Sequence, residues 1–208
     1  MEDILDLYHE PYDPMRPVVC FDEATKQLIA EKRAALPMKP GQPQRYDYEY
    51  ERLGTANIFM FSEPLAGWRH VEVTDQRTMI DYAHCMKYLV DERYPEVEIV
   101  RVVQDNLNTH TPASLYKAFP PEEARRILQR LEFHYTPKHG SWLNIAEIEL
   151  SVLGSQCLNR RIDNQEFLIE ETAAWNNDRN ENAKVVDWQF STQDARIKLK
   201  RLYPSFHS

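Results

Sequence analysis

A chain of 208 residues with 42% hydrophobic and 11% aromatic residues has ample material for one packed core, which excludes disorder as the default reading. Five glycines and 13 prolines exclude fibrous and low-complexity classes. The formal charge of −8 speaks against a free-standing nucleic-acid binder, whose footprint is normally basic, yet leaves room for a nuclease, which needs acidic residues to hold metal.

At the N-terminus "MEDILDLYHEPYDP" is acidic and turn-rich, without signal-peptide character. Residues 1–15 therefore read as an extension, 16–203 as one domain and 204–208 as a tail. "RPVVCFDE" gives a short apolar strand over 18–21 that delivers Asp22 at its C-terminal end. "KRAALPMKPGQPQ", with three prolines and a glycine, predicts a long loop, spanning about 24–43. "RYDYEYER", "ANIFMFSEPLAG" and "WRHVEVTD" are three β-rich segments between turn residues, the pattern of an antiparallel meander.

Apolar residues at helical spacing predict a helix over 78–94. "EVEIVRVVQDN" is a second buried strand and also ends in an acid, Asp105. Helices follow in "TPASLYKAF" and "PEEARRILQR", where Pro121 suits a first helical position, and "LEFHYTP" is a short strand. The remainder reads as helices over 142–159, 164–178 and "STQDARIKLKRL". Strands first and helices interleaved later predict a mixed α/β sheet with helices on its faces. Cys20, Cys85 and Cys157 have neither CxxC spacing nor an even count, which fits a reducing cytoplasm and supplies no zinc site. No apolar run approaches the ~18 residues that span a bilayer, so the expectation is a soluble, intracellular protein without a membrane partner.

"SWLNIAEIELSVL", residues 141–153, carries Glu147 and Glu149 within an apolar helix. With Leu143 at zero and about 100° per residue, Ala146, Leu150, Leu153 and Cys157 fall between about 280° and 340° and Leu158 near 60°. On that wheel Glu147, near 40°, lies inside the stripe and Glu149, near 240°, just outside it, so Glu147 is predicted to face inward and Glu149 the solvent. An inward carboxylate needs a cation or a basic side chain. Asp22 and Asp105 end buried strands, where open α/β sheets place functional groups. Three carboxylates brought together repel unless divalent metal sits among them, and hard oxygen donors suit Mg²⁺ or Mn²⁺. Two such ions would activate a water or a 3′-hydroxyl and stabilise the leaving oxygen of a phosphodiester. Each acid taken singly also has a structural reading, as a turn former, a helix cap or the partner of an arginine.

Together "VVCFDE", "VVQDNLNTH" and "YTPKHGSWLNIAEIELSVL" resemble the endonuclease domain of bacterial insertion-sequence transposases in the Tc/mariner superfamily, DDE enzymes with an RNase H-like fold. The resemblance runs from about Arg16 to Tyr203, with the three blocks in order. It implies a five-stranded mixed sheet, a meander followed by parallel strands, flanked by helices. It implies Asp22, Asp105 and Glu147 as the catalytic and metal-holding triad, with two Mg²⁺ ions, or Mn²⁺ as substitute. Glu147 comes from "LNIAE" in place of an "LNPIE"-like motif, with Ile145 and Ala146 where the pattern has Pro-Ile. The segment between Asp105 and Glu147 is longer than in eukaryotic relatives, and "FPPEEARRILQRLE" holds the extra length.

Further residues of these blocks point to DNA: Asn106 and His110 after the second acid, and Lys138, His139, Ser141 and Asn144 at the start of the third-acid helix, where a backbone phosphate would meet N-terminal amides. His110 reads equally as a ligand-orienting group or a cap. Glu23 and Glu149 are the acids most easily mistaken for triad members. Trp142 and Trp175 read as core or cover rather than base-stacking platforms. "RIKLKR" is the most basic run, a solvated face as readily as a DNA contact.

The resemblance also implies an N-terminal helix-turn-helix pair that reads terminal repeats, and none precedes Asp22 here. The expectation is thus a split second reading frame, a truncated element or an isolated domain that binds repeats weakly. Two classes of function follow. One is an active nuclease and strand transferase acting as a homodimer on transposon ends and TA target in the bacterial nucleoid. The other is a non-catalytic remnant or partner subunit associating with a full-length transposase or a separate DNA-recognition subunit. A resolvase or repair nuclease sharing the fold is a third reading, less close to "GSWLNIAEIE".

Overall fold

The computed structural model describes residues 1–33, 37–43 and 48–203. Five strands form one sheet in the order β3-β2-β1-β4-β5: β1 (Val18–Glu31), β2 (Tyr50–Glu63), β3 (Trp68–Thr74), β4 (Val100–Gln104) and β5 (Leu131–Tyr135). β1, β2 and β3 form an antiparallel meander, while β4 and β5 run parallel to β1, so the mixed sheet predicted from the sequence is present.

Side chains alternate across a strand, and each face of this sheet buries its own apolar set. Val19, Phe21, Phe59, Phe61, Val100 and Val102 pack against helices α2 (Met79–Tyr88), α3 (Pro112–Ala118) and α4 (Pro121–Leu128). Cys20, Ile58, Met60 and Val103 face α1 (Glu2–Tyr8), α5 (Ile145–Gln156), α6 (Gln165–Glu181) and α7 (Thr192–Lys198). Helix starts follow local chemistry. Thr78 accepts from the Ile80 and Asp81 amides while the Asp81 carboxylate accepts from the Thr78 amide, and Pro121 opens α4. Among the described residues no helix is long and apolar enough to cross a membrane.

Several boundaries differ from the sequence reading. β1 does not stop at Asp22 but runs on to Glu31, paired with β2 along its whole second half. "DEATKQLIAE" has no glycine or proline, and its inter-strand bonds are made entirely with β2, which extends equally far. Of the predicted long loop, residues 34–36 lie outside the described residues, as do residues 44–47 after it and the tail 204–208. "ANIFMFSE" and the end of "RYDYEYER" form one strand, β2, rather than two, and Arg45–Asp47 of the latter are outside the described residues. The predicted helix over 78–94 ends in a π-helical turn, Leu89–Arg93. The acidic N-terminal stretch is helical: α1 buries Ile4 and Leu5 completely in the α5 face of the core.

Candidate active site

β1 and β4 place two acids at one end of the sheet. Their parallel pairing ends at Cys20↔Val103, so Asp22 and Asp105 each follow two residues beyond the last paired position, where the strands part. Parting at this edge opens a cleft of about 480 Å³ lined by Asp22, Glu23, Asp105, Ser141, Asn144 and Glu147, together with Thr136 and the α5 residues Leu150 and Ser151. The three predicted acids thus share one cleft, supplied by a strand, a strand end and the first turn of a helix.

The third acid arrives by a different route from the one the helical wheel gave. Glu147 is exposed to the cleft, and Glu149 is the buried glutamate, with a side chain only 2% exposed. The wheel failed because Leu143 and Leu158, which drew its apolar stripe across 40°, lie outside the α-helix. Leu143 ends a 3₁₀ turn (Ser141–Leu143), and α5 runs only from Ile145 to Gln156. Counted from Ile145 at about 100° per residue, Ala146, Glu149 and Leu153 fall within about 100° of arc and Glu147 near 200°, on the other side. Those first three residues and Ile145 are the buried ones.

What holds the inward charge is a pair of arginines. Arg69 of β3, itself fully buried, donates to Glu149 Oε1 (2.7 Å), and Arg179 of α6 donates to Oε2 (3.0 Å). Arg69 also donates to the carbonyls of Gly67 and Lys184, and its backbone exchanges hydrogen bonds with the Asn180 side chain. Burial alone raises the Glu149 carboxyl, but the Arg69 bond and the two guanidinium charges outweigh it and hold it below the usual carboxylate range. Neither arginine carried a local signal, since each meets Glu149 only through the fold.

Asn144 joins α5 to β1. Its amide nitrogen donates to the Phe21 carbonyl (2.8 Å) and to Asp22 Oδ2 (3.3 Å), and its oxygen accepts from the Ala146 amide as the helix cap. At 1% exposure Asn144 is a strut, with little surface left for the DNA contact expected from the sequence. Asn144→Ala is expected to cost about 1–2 kcal/mol in denaturant unfolding through loss of the cap and the link to β1. An unchanged midpoint would show that the strut bears no load.

His110 is also unavailable to a phosphate, being 1% exposed. Its Nδ1 hydrogen-bonds Asp105 Oδ1 (2.5 Å), its Nε2 lies 2.9 Å from Glu23 Oε2, and its ring stacks on Tyr82 with centroids 4.9 Å apart. Burial opposes the charged imidazole, but the Asp105 and Glu23 bonds outweigh it and push His110 up to about 9. The remaining sequence candidates, Asn106, Lys138, His139 and Ser141, are exposed, and of these Ser141 lines the cleft. His139 adopts a left-handed backbone, φ 63°, in the loop between β5 and the 3₁₀ turn. Trp142, 37% exposed, packs on Trp188 and Phe190, and Trp175 is buried with its indole donating to Gln156, so both act as cover or core as predicted.

Asp22 carries the clearest electrostatic signature of the cleft. Its Oδ1 accepts the Glu23 amide (2.8 Å), which lowers its pKa. Burial, the larger influence, and the charges of Glu23, Asp105 and Glu147 push the carboxyl up to about 7. Among the described residues no lysine or arginine pairs with Asp22 or Glu147. Two acids without a basic partner, beside Asp105 held by His110, present hard oxygen donors that fit a divalent cation such as Mg²⁺ or Mn²⁺.

A family model for DDE superfamily endonucleases matches residues 17–169. Comparison with curated proteins returned no match. Among solved structures, the Mos1 transposase paired-end complex with left transposon end matches at 17% identity and a TM-score of 0.54, covering 77% of this chain and 48% of that one. The Mos1 mariner paired end complex with Mn matches at 17% identity and a TM-score of 0.58, covering 88% and 54%, and the Mos1 Strand Transfer Complex at 15% and 0.57 with the same coverage. The chain spans about half the length of these solved chains. At such identities the likeness establishes the fold, and the mixed five-stranded sheet flanked by helices is the RNase H-like fold of that transposase. Since the family model takes in most of the sequence, all five strands and the cleft, the chain belongs to the DDE superfamily endonucleases.

Proposed function

We propose that this chain is the catalytic domain of a DNA transposase, cleaving phosphodiesters at transposon ends and transferring the strand into TA target DNA. One observation carries the reading: Asp22, Asp105 and Glu147 converge on a single open cleft with no lysine or arginine paired to Asp22 or Glu147 among the described residues. Asp22, Asp105 and Glu147 would hold two Mg²⁺ ions, or Mn²⁺ in their place. Such ions supply activation of a water or 3′-hydroxyl nucleophile and charge stabilisation at the leaving oxygen.

The protein's own contribution is placement. Asn144 fixes the Asp22 carboxylate and the N-terminus of α5 to each other, and the Arg69–Glu149–Arg179 cluster pins the same helix from its opposite side. Lys138, His139 and Asn106 are exposed, close in the chain to the cleft residues Thr136, Ser141 and Asp105, and would meet a DNA backbone there together with Ser141, which lines the cleft. The substrate is double-stranded DNA, engaged by a homodimer or with a DNA-recognition subunit, in the bacterial nucleoid. The acidic net charge favours recruitment by such a recognition module over unaided binding.

Supercoiled plasmid nicking in Mn²⁺ tests the reading. Wild type is expected to nick, and Asp105→Asn and Glu147→Gln to fall to background while keeping their folded far-ultraviolet spectrum. If the chain binds a full-length transposase yet never nicks DNA alone or in that complex, the non-catalytic partner role replaces this one.

A further inference from the structure

Glu23, His110 and Asp105 form a line of side-chain contacts that begins at the surface. Arg77, 56% exposed, lies 3.8 Å from Glu23 Oε1; Glu23 Oε2 lies 2.9 Å from His110 Nε2; and His110 Nδ1 reaches Asp105 Oδ1 at 2.5 Å. The side-chain exposures of Glu23 and His110 are 4% and 1%, against 32% for Asp105. Strand alternation explains the arrangement: Asp22 turns to the α5 face with Asn144, whereas Glu23 turns to the other face, where His110 waits.

The imidazole itself is locked. Its ring stacks on Tyr82 and meets Phe21 edge-on at 5.3 Å, while the His110 carbonyl accepts from Gln104 Nε2, whose oxygen accepts from the Tyr82 hydroxyl. A group so fully constrained offers Asp105, which lines the cleft, one fixed hydrogen bond. Glu23 also lines the cleft, but its carboxylate oxygens lie against His110 Nε2 and the Arg77 guanidinium.

We propose that His110, with Glu23 against its other ring nitrogen, is the positioning residue that fixes the Asp105 carboxylate for metal, and that Glu23 is not itself a metal ligand. The proposal rests on the metal-holding role of the cleft argued above and assigns two residues that the triad omits. A partner that orients a ligating group is felt in affinity, typically by about ten- to a hundredfold.

The test is titration with Mn²⁺ alone, followed by electron paramagnetic resonance, on wild type, His110→Phe, His110→Gln, Glu23→Gln and Asp105→Asn. His110→Phe keeps a ring for Tyr82 and Phe21 to pack on. It is expected to bind Mn²⁺ about ten- to a hundredfold more weakly and, in plasmid nicking, to lose kcat while keeping KM for DNA. His110→Gln, whose amide can still donate to Asp105, recovers part of both losses. Glu23→Gln is expected to cost less than Asp105→Asn. A folded His110→Phe with wild-type Mn²⁺ affinity overturns the positioning role, and Glu23→Gln as damaging as Asp105→Asn makes Glu23 a ligand. Should His110→Phe not fold, the Gln variants decide on the same titration. Absence of Mn²⁺ uptake by wild type overturns the metal reading and this inference with it, whereas uptake unaffected by the His110 and Glu23 variants overturns this inference alone.

Discussion

Glu149→Ala is expected to destabilise the protein by about 3–5 kcal/mol, because it strands Arg69 as a buried charge without its carboxylate. Arg69 is fully buried, and two backbone carbonyls are a poor substitute for a charged acceptor. Removing both charges is a different experiment. Glu149→Leu combined with Arg69→Met is expected to cost less than either substitution alone, since apolar side chains of similar volume often replace a buried ion pair at little loss. Urea unfolding at pH 7 measures all three.

The pH dependence has a definite sign. The Glu149 carboxyl is held below its ordinary value of 4.5 in the folded protein. Its stabilisation is therefore present above the unfolded value and is lost as pH falls through the folded one. The gap between wild type and Glu149→Ala should narrow in acid. A cost under about 1 kcal/mol at pH 7 would place this pair with solvated surface bridges and refute the anchoring role. Because Glu147 sits two residues away on the same helix, nicking should fall with stability in Glu149→Ala, and Glu147 would be misplaced even in the fraction that remains folded.

Asp22→Asn is expected to do the reverse to stability while abolishing activity. Burial and three neighbouring carboxylates push Asp22 up to about 7, well above its ordinary 3.8. For an acid raised on folding, the unfolded chain releases its proton first. Stability contributed by this group is therefore full below about pH 4 and declines until the folded carboxyl ionises near 7. Without metal, Asp22→Asn should melt at a higher temperature than wild type at pH 8 and at nearly the same temperature at pH 4. A site that spends stability on function shows this pattern.

Adding Mn²⁺ should invert the ranking. Wild type gains RT ln(1 + [L]/Kd), about 2.7 kcal/mol at a hundredfold excess over Kd, and the variant does not. Nicking by Asp22→Asn should drop by about a hundredfold or more, the scale on which losing one group that acts on the transition state is felt. An Asp22→Asn protein less stable than wild type at pH 8 would show that the carboxylate is held by bonds rather than crowded by charge.

Much of the fold was legible because its signals are local. Apolar runs and turn residues located every strand, helical spacing located α2, and Pro121 marked the start of α4. Strand ends were less legible. Nothing within "DEATKQLIAE" reveals that a second strand will accompany it to Glu31, because pairing partners are decided across the hairpin. The placement of Asp22 and Asp105 was accessible, since Asp105 follows directly from β4 and Asp22 lies just past the part of β1 that pairs with β4.

The orientation of the third acid was not legible in the same way. Periodicity assigns a face only while the helix keeps its phase, and the 3₁₀ turn before Ile145 broke it. The motif chose Glu147 and the wheel agreed, but for a reason the fold removes: Glu147 belongs to the cleft because it faces out of the core. By itself the sequence determined the order of elements, the three acidic blocks and the family they mark. Only the tertiary structure decided which glutamate is buried. Its partners, Arg69 and Arg179, come from a strand and a helix far along the chain, and charge compensation in a core is settled by what the fold brings within hydrogen-bond reach.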